Sequence, residues 1–353
     1  MQLRKAIARC GLEVAIAVRS NSLPAVRPCL DAVRRTVRSR RLWQPGTRLV
    51  LACSGGLDSL AALEILARLR PSLGHTLAVA HVEHGLWPGN AAAVEHVAAA
   101  AQAHGLDFAC ERLNLEHGAD LEHRARTARY AALHRLRLEL GGALLATAHH
   151  ADDQAETLLM RMARGCGPEA LAGIRAHRDD AVVRPLLGLA RADLRKLADA
   201  LGLSWIEDVS NADTAFLRNR LRHDVLPVLE AALPGATAGL ARTAAHSADQ
   251  EGVLQAWMTR ALRDAWTLDP AGPSVLLRAD AVPAEAPLLG SLLQHVCRHF
   301  GLAAPSLRAV EQFCAFVATK GDSHCQVRGL LVERQACAWR FTPQDVARPT
   351  GAD

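Results

Sequence analysis

The sequence has no C-x-x-C pair. Its nine cysteines, Cys10, Cys29, Cys53, Cys110, Cys166, Cys297, Cys314, Cys325 and Cys337, are odd in number and scattered. That excludes a disulfide scaffold and a zinc knuckle, and it implies reduced thiols in the cytoplasm. Nor is there a run approaching the roughly 20 uncharged apolar residues of a membrane span. The N-terminal segment makes a poor signal peptide, because its apolar part is broken by Glu13 and Arg19. Internal repeats are absent. Lysine is scarce: only three of the 41 Lys+Arg residues are lysine. Arginine contacts phosphate in bidentate fashion, although a GC-rich coding bias produces the same imbalance. The net charge of +5 is compatible with nucleic acid without being diagnostic.

What is present is an alternation of apolar strands and helices. Strands are expected at Arg48–Cys53, Thr76–Val82, Phe108–Leu113 and Ala143–Ala148, with short ones at Val182–Leu186 and Ser204–Ile206. Helices are expected at Ala91–Ala103, Leu121–Leu140, Ala151–Ala163 and Ala192–Leu201. This pattern predicts an α/β fold, Rossmann-like, with a parallel sheet and helices on both faces. Beyond about Pro227 the chain changes. Val228–Leu268 reads as alanine-rich helix, Ser274–Leu277 as a turn or strand, Leu288–His299 and Ser306–Thr319 as helices, and Cys325–Phe341 as a β-hairpin around Arg334-Gln335. Three parts follow: an N-terminal extension over 1–28, expected to be disordered; a nucleotide-binding domain over 29–228; and a mainly helical C-terminal domain over 229–353 with a terminal hairpin.

The most informative segment is Ser54-Gly55-Gly56-Leu57-Asp58-Ser59, between the first strand and a helix. Two glycines allow a tight turn and let an anion approach the backbone amides. The helix N-terminus adds exposed N–H groups and partial positive charge. Asp58 does not suit a plain phosphate nest, since a carboxylate repels phosphate unless Mg2+ lies between them. The alternative is an ordinary strand-to-helix turn capped by Ser and Asp.

A second constellation, His149-His150-Ala151-Asp152-Asp153-Gln154-Ala155-Glu156, follows the fourth strand. Asp152 and Glu156 share a helix face at i,i+4, and Asp153 and Glu156 at i,i+3. Like charges so placed call for a cation or hydrogen bonds, or else form an acidic first turn that complements the helix dipole. Zinc fits less well, because the i,i+4 histidine pair of H-E-x-x-H is missing. Ligands of such sheets sit at the carboxyl ends of strands, where both constellations fall. His81 and His84 close the second strand, either as site residues or as histidines satisfied by backbone.

SGGLDS together with HHADDQAETLLMRMARGCGPEALAGI resembles the tRNA(Ile)-lysidine synthases, members of the PP-loop ATP pyrophosphatase superfamily. HVEHGL (81–86), EHRARTARYAAL (122–133), RPLL (184–187) and WIEDVSNADTAFLRNRLRHDVLP (205–227) support it in the same order. The resemblance covers roughly 30–228 and continues more weakly to the end. It implies ATP and Mg2+, free lysine, and an isoleucine tRNA with a CAU anticodon. The wobble cytidine would be adenylated, and lysine would then displace AMP to leave lysidine.

By this resemblance Ser54, Gly55, Gly56, Leu57, Asp58, Ser59, His81 and His149 would bind ATP. Asp58 and Asp152 or Asp153 would hold Mg2+. The lysine proton acceptor would be among Asp58, Asp153 and Glu156. Arg126, Arg129, Arg164, Arg218 and Arg220 would contact lysine or tRNA; alternatively Arg126 and Arg129 form a solvated helix face, and Arg218, Arg220 and Arg222 pair with Glu207 and Asp208. A homodimer in the cytoplasm is what the family suggests. Two other classes stay open: a tRNA 2-thiolation enzyme, which would ordinarily need paired cysteines, and a non-catalytic nucleotide-binding module, which would not need the carboxylates of 152–156.

Overall fold

A computed structural model describes residues 21–83, 90–113, 121–207, 217–270, 272–302, 304–319, 324–327 and 329–344. Most of the expected N-terminal extension, residues 1–20, lies outside the described residues, as does His84. The chain divides into two compact units. One comprises Met1–Thr157 and Ile174–Arg242, the other Leu158–Gly173 and Thr243–Asp353. Among the described residues no helix is long and apolar enough to cross a membrane.

The first unit holds five parallel strands: β1 (Arg48–Ala52), β2 (Thr76–Glu83), β3 (Asp107–Arg112), β4 (Leu144–Ala146) and β5 (Val182–Val183), in the order β3-β2-β1-β4-β5. Successive side chains of a strand point to opposite faces. Accordingly Leu49 and Leu51 of β1 join one apolar cluster and Val50 joins another. The first cluster is completed by helices Arg27–Ser39, Leu57–Leu73 and Arg191–Leu201, through Val33, Leu66 and Leu194. The second is completed by Ala132, Leu133 and Leu136 of helix Leu121–Glu139. The doubly covered parallel sheet expected from the alternation is therefore present.

Strand order reverses at β1: the chain leaves it toward β2 and β3, then returns to its other side for β4 and β5. Such a reversal opens a crevice at the carboxyl ends of the two central strands. The loops that follow β1 and β4 are the two constellations singled out in the sequence.

Three expectations need correction. Ser204–Ile206 is not a strand of the sheet; its Ile206 N–H donates instead to the Gly55 carbonyl at 3.0 Å. The strand expected over Val182–Leu186 ladders only through Val183. Pro185, which has no N–H to donate, follows soon after. The helix expected over Val228–Leu268 is broken at Leu233-Pro234-Gly235, where Gly235 takes a φ of 86°. The Glu230 carboxylate caps the restart, accepting from Gly235 N (2.6 Å) and Thr237 N (3.0 Å). The end of that stretch, Trp266–Leu268, is strand β6.

In the second unit β6 joins β7 (Val275–Arg278), β8 (His324–Val327), β9 (Leu330–Arg334) and β10 (Ala338–Pro343) in an antiparallel sheet ordered β6-β7-β10-β9-β8. The expected terminal hairpin is its β9–β10 pair. Phe313, Phe341, Leu292 and Leu293 form the core beside it.

One core group makes stability depend on pH. His75 is 3% exposed, stands edge-on to Trp43 at 5.4 Å, and has Nε2 3.1 Å from the Leu66 carbonyl. Burial pushes it down from 6.5 to about 4, so the folded ring stays neutral where the unfolded one charges. The unfolded chain then binds the extra proton, and stability falls as pH drops from 6.5 toward 4. Between about pH 7.5 and about pH 5 His75 should cost about 2 kcal/mol. Urea unfolding of His75→Leu should show an acid loss smaller by that amount; an identical pH slope would refute it.

Candidate active site

The loop after β1 is held in shape from within. Gly55 has a φ of +86°, a left-handed conformation that costs a side chain dearly, and a Cβ there would meet Val97 Cγ2 at 3.3 Å. Gly56 stands at the N-cap of helix Leu57–Leu73 in extended conformation and, having no side chain, accepts none of its first amides. The Ser59 hydroxyl donates to the Gly56 carbonyl (2.9 Å) and accepts from Ser54 N (3.2 Å). Ser54 Oγ lies 3.3 Å from Ser59 Oγ. Ser59 is buried and Ser54 exposed. The Leu57 side chain is buried in the protein interior, which leaves its backbone as the part suited to a phosphate. A rigid loop feeding a helix N-terminus offers amides to an anion without reorganisation.

Asp58, in the first turn of that helix, reaches the loop after β4. His150 is 1% exposed, with Nε2 3.5 Å from both Asp58 Oδ2 and Asp153 Oδ2, and Nδ1 3.5 Å from Asp152 Oδ2. Burial would lower such a histidine, but its contacts with Asp152 and Asp58 and the charge of Asp153 outweigh that and hold it at about 10. At neutral pH it is an imidazolium among three carboxylates. Asp152 also accepts from Arg191 N at 2.8 Å, and Asp153 from His150 N at 2.9 Å. Burial opposes the charge on both, yet these contacts keep both below the usual carboxylate range. Gln154 exchanges two hydrogen bonds with the backbone of Ile174 (2.6 and 2.8 Å) and anchors the turn.

Glu156 is fully buried. Its Oε2 accepts from Arg218 Nε (2.6 Å) and its Oε1 from Arg222 Nε (2.7 Å); both arginines reach on to Asp153 Oδ1, at 2.8 and 3.3 Å. Two acids and two arginines thus form a closed box. Among the described residues no ion pair joins Glu207 to them, and Asp208 lies outside the described residues. Arg222 is the more enclosed of the two, with 20% of its side chain exposed against 36% for Arg218. It hangs from a π-helical turn, Leu221–Val225; such turns recur at functional sites.

A basic cluster adjoins these acids. Arg126, Arg129 and Arg178 place their guanidiniums 5.2, 5.9 and 5.0 Å from the Tyr130 ring centre. Buried Arg184 hydrogen-bonds the same tyrosine. His149, hydrogen-bonded through Nδ1 to Thr147 Oγ1 (2.9 Å), is pushed down to about 3 by burial first; Asp153 opposes that, while Arg184, Arg218 and Arg126 add to it.

The structure therefore brings together Asp58, His149, Asp152, Asp153, Glu156, Arg126, Arg129 and Arg218. His81 stands apart from the ion pairs: it is buried, its Nδ1 lies 2.8 Å from the Cys53 carbonyl, and burial lowers its pKa. Arg220 is exposed, and Arg164 is an exposed residue of the second unit. Arg222 was legible as the i,i+4 partner of Arg218. Arg191, whose Nε is 3.4 Å from Asp58 Oδ1, had no sequence signal, because it comes from a helix far along the chain.

Asp58 Oδ1 is buried without a hydrogen bond. Among the described residues no three His, Cys, Asp or Glu groups converge as a ready-made metal cage. Mg2+ does not require one, since it binds through one or two carboxylates, water and substrate phosphates. Asp58 and Asp152 fit that pattern.

Residues 31–229 match the family model of the PP-loop domain. The chain is 41% identical to the tRNA(Ile)-lysidine synthase of Aromatoleum aromaticum over 74% of this chain and 60% of that one. It is 36% identical to that of Pseudomonas syringae pv. tomato (88% and 71%) and 37% identical to that of Novosphingobium aromaticivorans (86% and 92%). It spans 46% of the Azoarcus relative and 52% of the Pseudomonas fluorescens one, so the curated relatives differ widely in how much lies beyond the match. Among solved structures, the U34-tRNA thiolase of Methanococcus maripaludis shares the fold, with a TM-score of 0.55 and 18% identity over 64% of this chain and 79% of that one.

Proposed function

The chain belongs to the PP-loop family, among the tRNA(Ile)-lysidine synthases, and from that premise we propose that it joins free lysine to C2 of the wobble cytidine of a CAU-anticodon isoleucine tRNA, with ATP giving AMP and diphosphate. The observation that carries this reading is the meeting of the two loops, with Asp58 3.5 Å from His150 at the carboxyl ends of adjacent strands.

The cytidine O2 attacks the α-phosphate of ATP, forming an O–P bond as the bond to diphosphate breaks. The amides of Leu57 and Asp58 at the helix start receive the departing phosphates, as preorganised donors aimed at developing charge do. Mg2+, held by Asp58 and Asp152, would neutralise phosphate charge when bound. Adenylation turns a poor leaving oxygen into a good one, splitting one hard substitution into two easier ones. The lysine amine then attacks C2 and expels AMP.

Free lysine arrives charged near neutrality. Its ammonium group is received by Asp153, which also takes the proton that frees the amine for attack, while Glu156 stays held by Arg218 and Arg222; the lysine carboxylate is received by Arg126 and Arg129. A loop base splayed from the anticodon is cheap to extrude. The reaction belongs in the cytoplasm, with the second unit as a tRNA-binding accessory.

The test is AMP and diphosphate release by the purified protein. It should require both lysine and the CAU-anticodon tRNA, and mass spectrometry should find labelled lysine in the tRNA nucleosides. Equal turnover without lysine would refute the reading, as would sulfur in the product.

A further inference from the structure

The second unit contains a cavity of about 390 Å3 that the proposed chemistry does not use. Helices Ala236–Ala261 and Ala286–His299, the turn after the first of them and strand β6 supply its lining, through Gln255, Arg263, Trp266, His295, Arg298 and His299. Gln255 is 7% exposed, and its Nε2 has no hydrogen-bond partner. A buried amide hydrogen left without an acceptor is unfavourable, and a ligand entering the cavity can supply one.

The other end of that amide is engaged. Gln255 Oε1 lies 3.1 Å from His295 Nδ1. Burial lowers the pKa of His295, and the charges of Arg298 and His299 lower it further. The amide oxygen can only accept, so the His295 Nδ1–H donates to Gln255. Trp266 stands edge-on to both histidines, at 5.2 Å from His295 and 5.3 Å from His299. Arg298 is steered by the buried Glu251, which also accepts from Gln294 Nε2 at 2.9 Å. Arg263 is exposed at the rim.

We propose that this cavity takes one nucleotide unit, its phosphate against Arg263 and Arg298 and its unstacked base among the three rings with a polar edge on Gln255. A free phosphate would leave most of the volume empty. An acidic peptide side chain would leave the ring faces turned to the cavity uncovered. Rings, guanidinium and a side-chain amide in one pocket are what proteins use to hold a splayed base: the rings and guanidinium stack, and the amide reads an edge. The source is a single-stranded position of an RNA or a free nucleotide, which share this chemistry. The RNA source rests on the function proposed above; the pocket itself does not.

Photo-crosslinking of the full-length protein distinguishes them, using 8-azido-AMP as one probe and a short single-stranded RNA carrying 4-thiouridine as the other. After digestion, label should appear in the peptides around Arg263–Trp266 or His295–His299. Arg263→Ser, which changes an exposed side chain and leaves the core intact, should reduce that label about tenfold, and Gln255→Met should do likewise. RNA label lost in the variants assigns an RNA nucleotide; AMP label alone assigns a free one. Absence of label there, or label that both variants leave unchanged, overturns the proposal. Lysine-dependent AMP release, measured separately, reports on the catalytic reading, so either can fail while the other stands.

Discussion

Replacing Arg218 and Arg222 together by alanine should destabilise the protein by about 3–5 kcal/mol at neutral pH, the cost of leaving a buried carboxylate without its partner. Glu156 is fully enclosed and takes a short hydrogen bond from each arginine. Either arginine alone can partly cover the loss of the other, so each single substitution should cost much less than half of the double. Glu156→Gln in the double-alanine background should restore most of the stability, because it removes the stranded charge while keeping the shape. A double-mutant cycle by urea unfolding measures this coupling. If the double variant lost less than about 1 kcal/mol, or if glutamine gave no rescue, the box would be an ordinary surface ion pair. In activity assays the rescued variant separates the two roles: it should fold and yet lack lysine-dependent AMP release.

Asp58→Ala should lower the rate of AMP release by at least about 10^2–10^3, the scale for losing one electrostatic group at a reacting centre. Its affinity for the tRNA should change little. The fold should survive, since His150 keeps Asp152 and Asp153 as counter-ions. Asp58→Asn, similar in shape but uncharged, should be nearly as inactive, which tests charge rather than packing. Wild-type turnover in the alanine variant would remove Asp58 from the site. Equal loss of tRNA binding in both variants would make it a binding residue instead.

Much of this was readable in the chain. SGGLDS announced a tight strand-to-helix turn, because only Gly adopts the φ of Gly55 freely, and the unpaired amides of a helix start are what suggested an anion there. HHADDQAE announced clustered carboxylates that call for a cation or hydrogen bonds, or else form an acidic first turn that complements the helix dipole. Unreadable from the spacing was which cation. The sequence offered Mg2+; the fold adds His150 and two arginines from about 65 residues further on. Pairings over such separations leave no periodic trace. Strand β6 was read as helix for a related reason: three residues make no alternation, and they form a strand only because β7 lies beside them; β8 was read as one arm with β9, which the turn at Gly329 divides.

The chain by itself determined the main helices and parallel strands of the first unit and the two loops where its polar groups gather, since helix and strand periodicity and turn chemistry are local properties of a few consecutive residues. Only the tertiary structure decided that the reversal of strand order at β1 sets Asp58 against His150, and that Glu156 is closed in by Arg218 and Arg222. The reason is physical: burial and charge pairing depend on which distant segments share a low-dielectric space, and no stretch of the sequence contains that information alone.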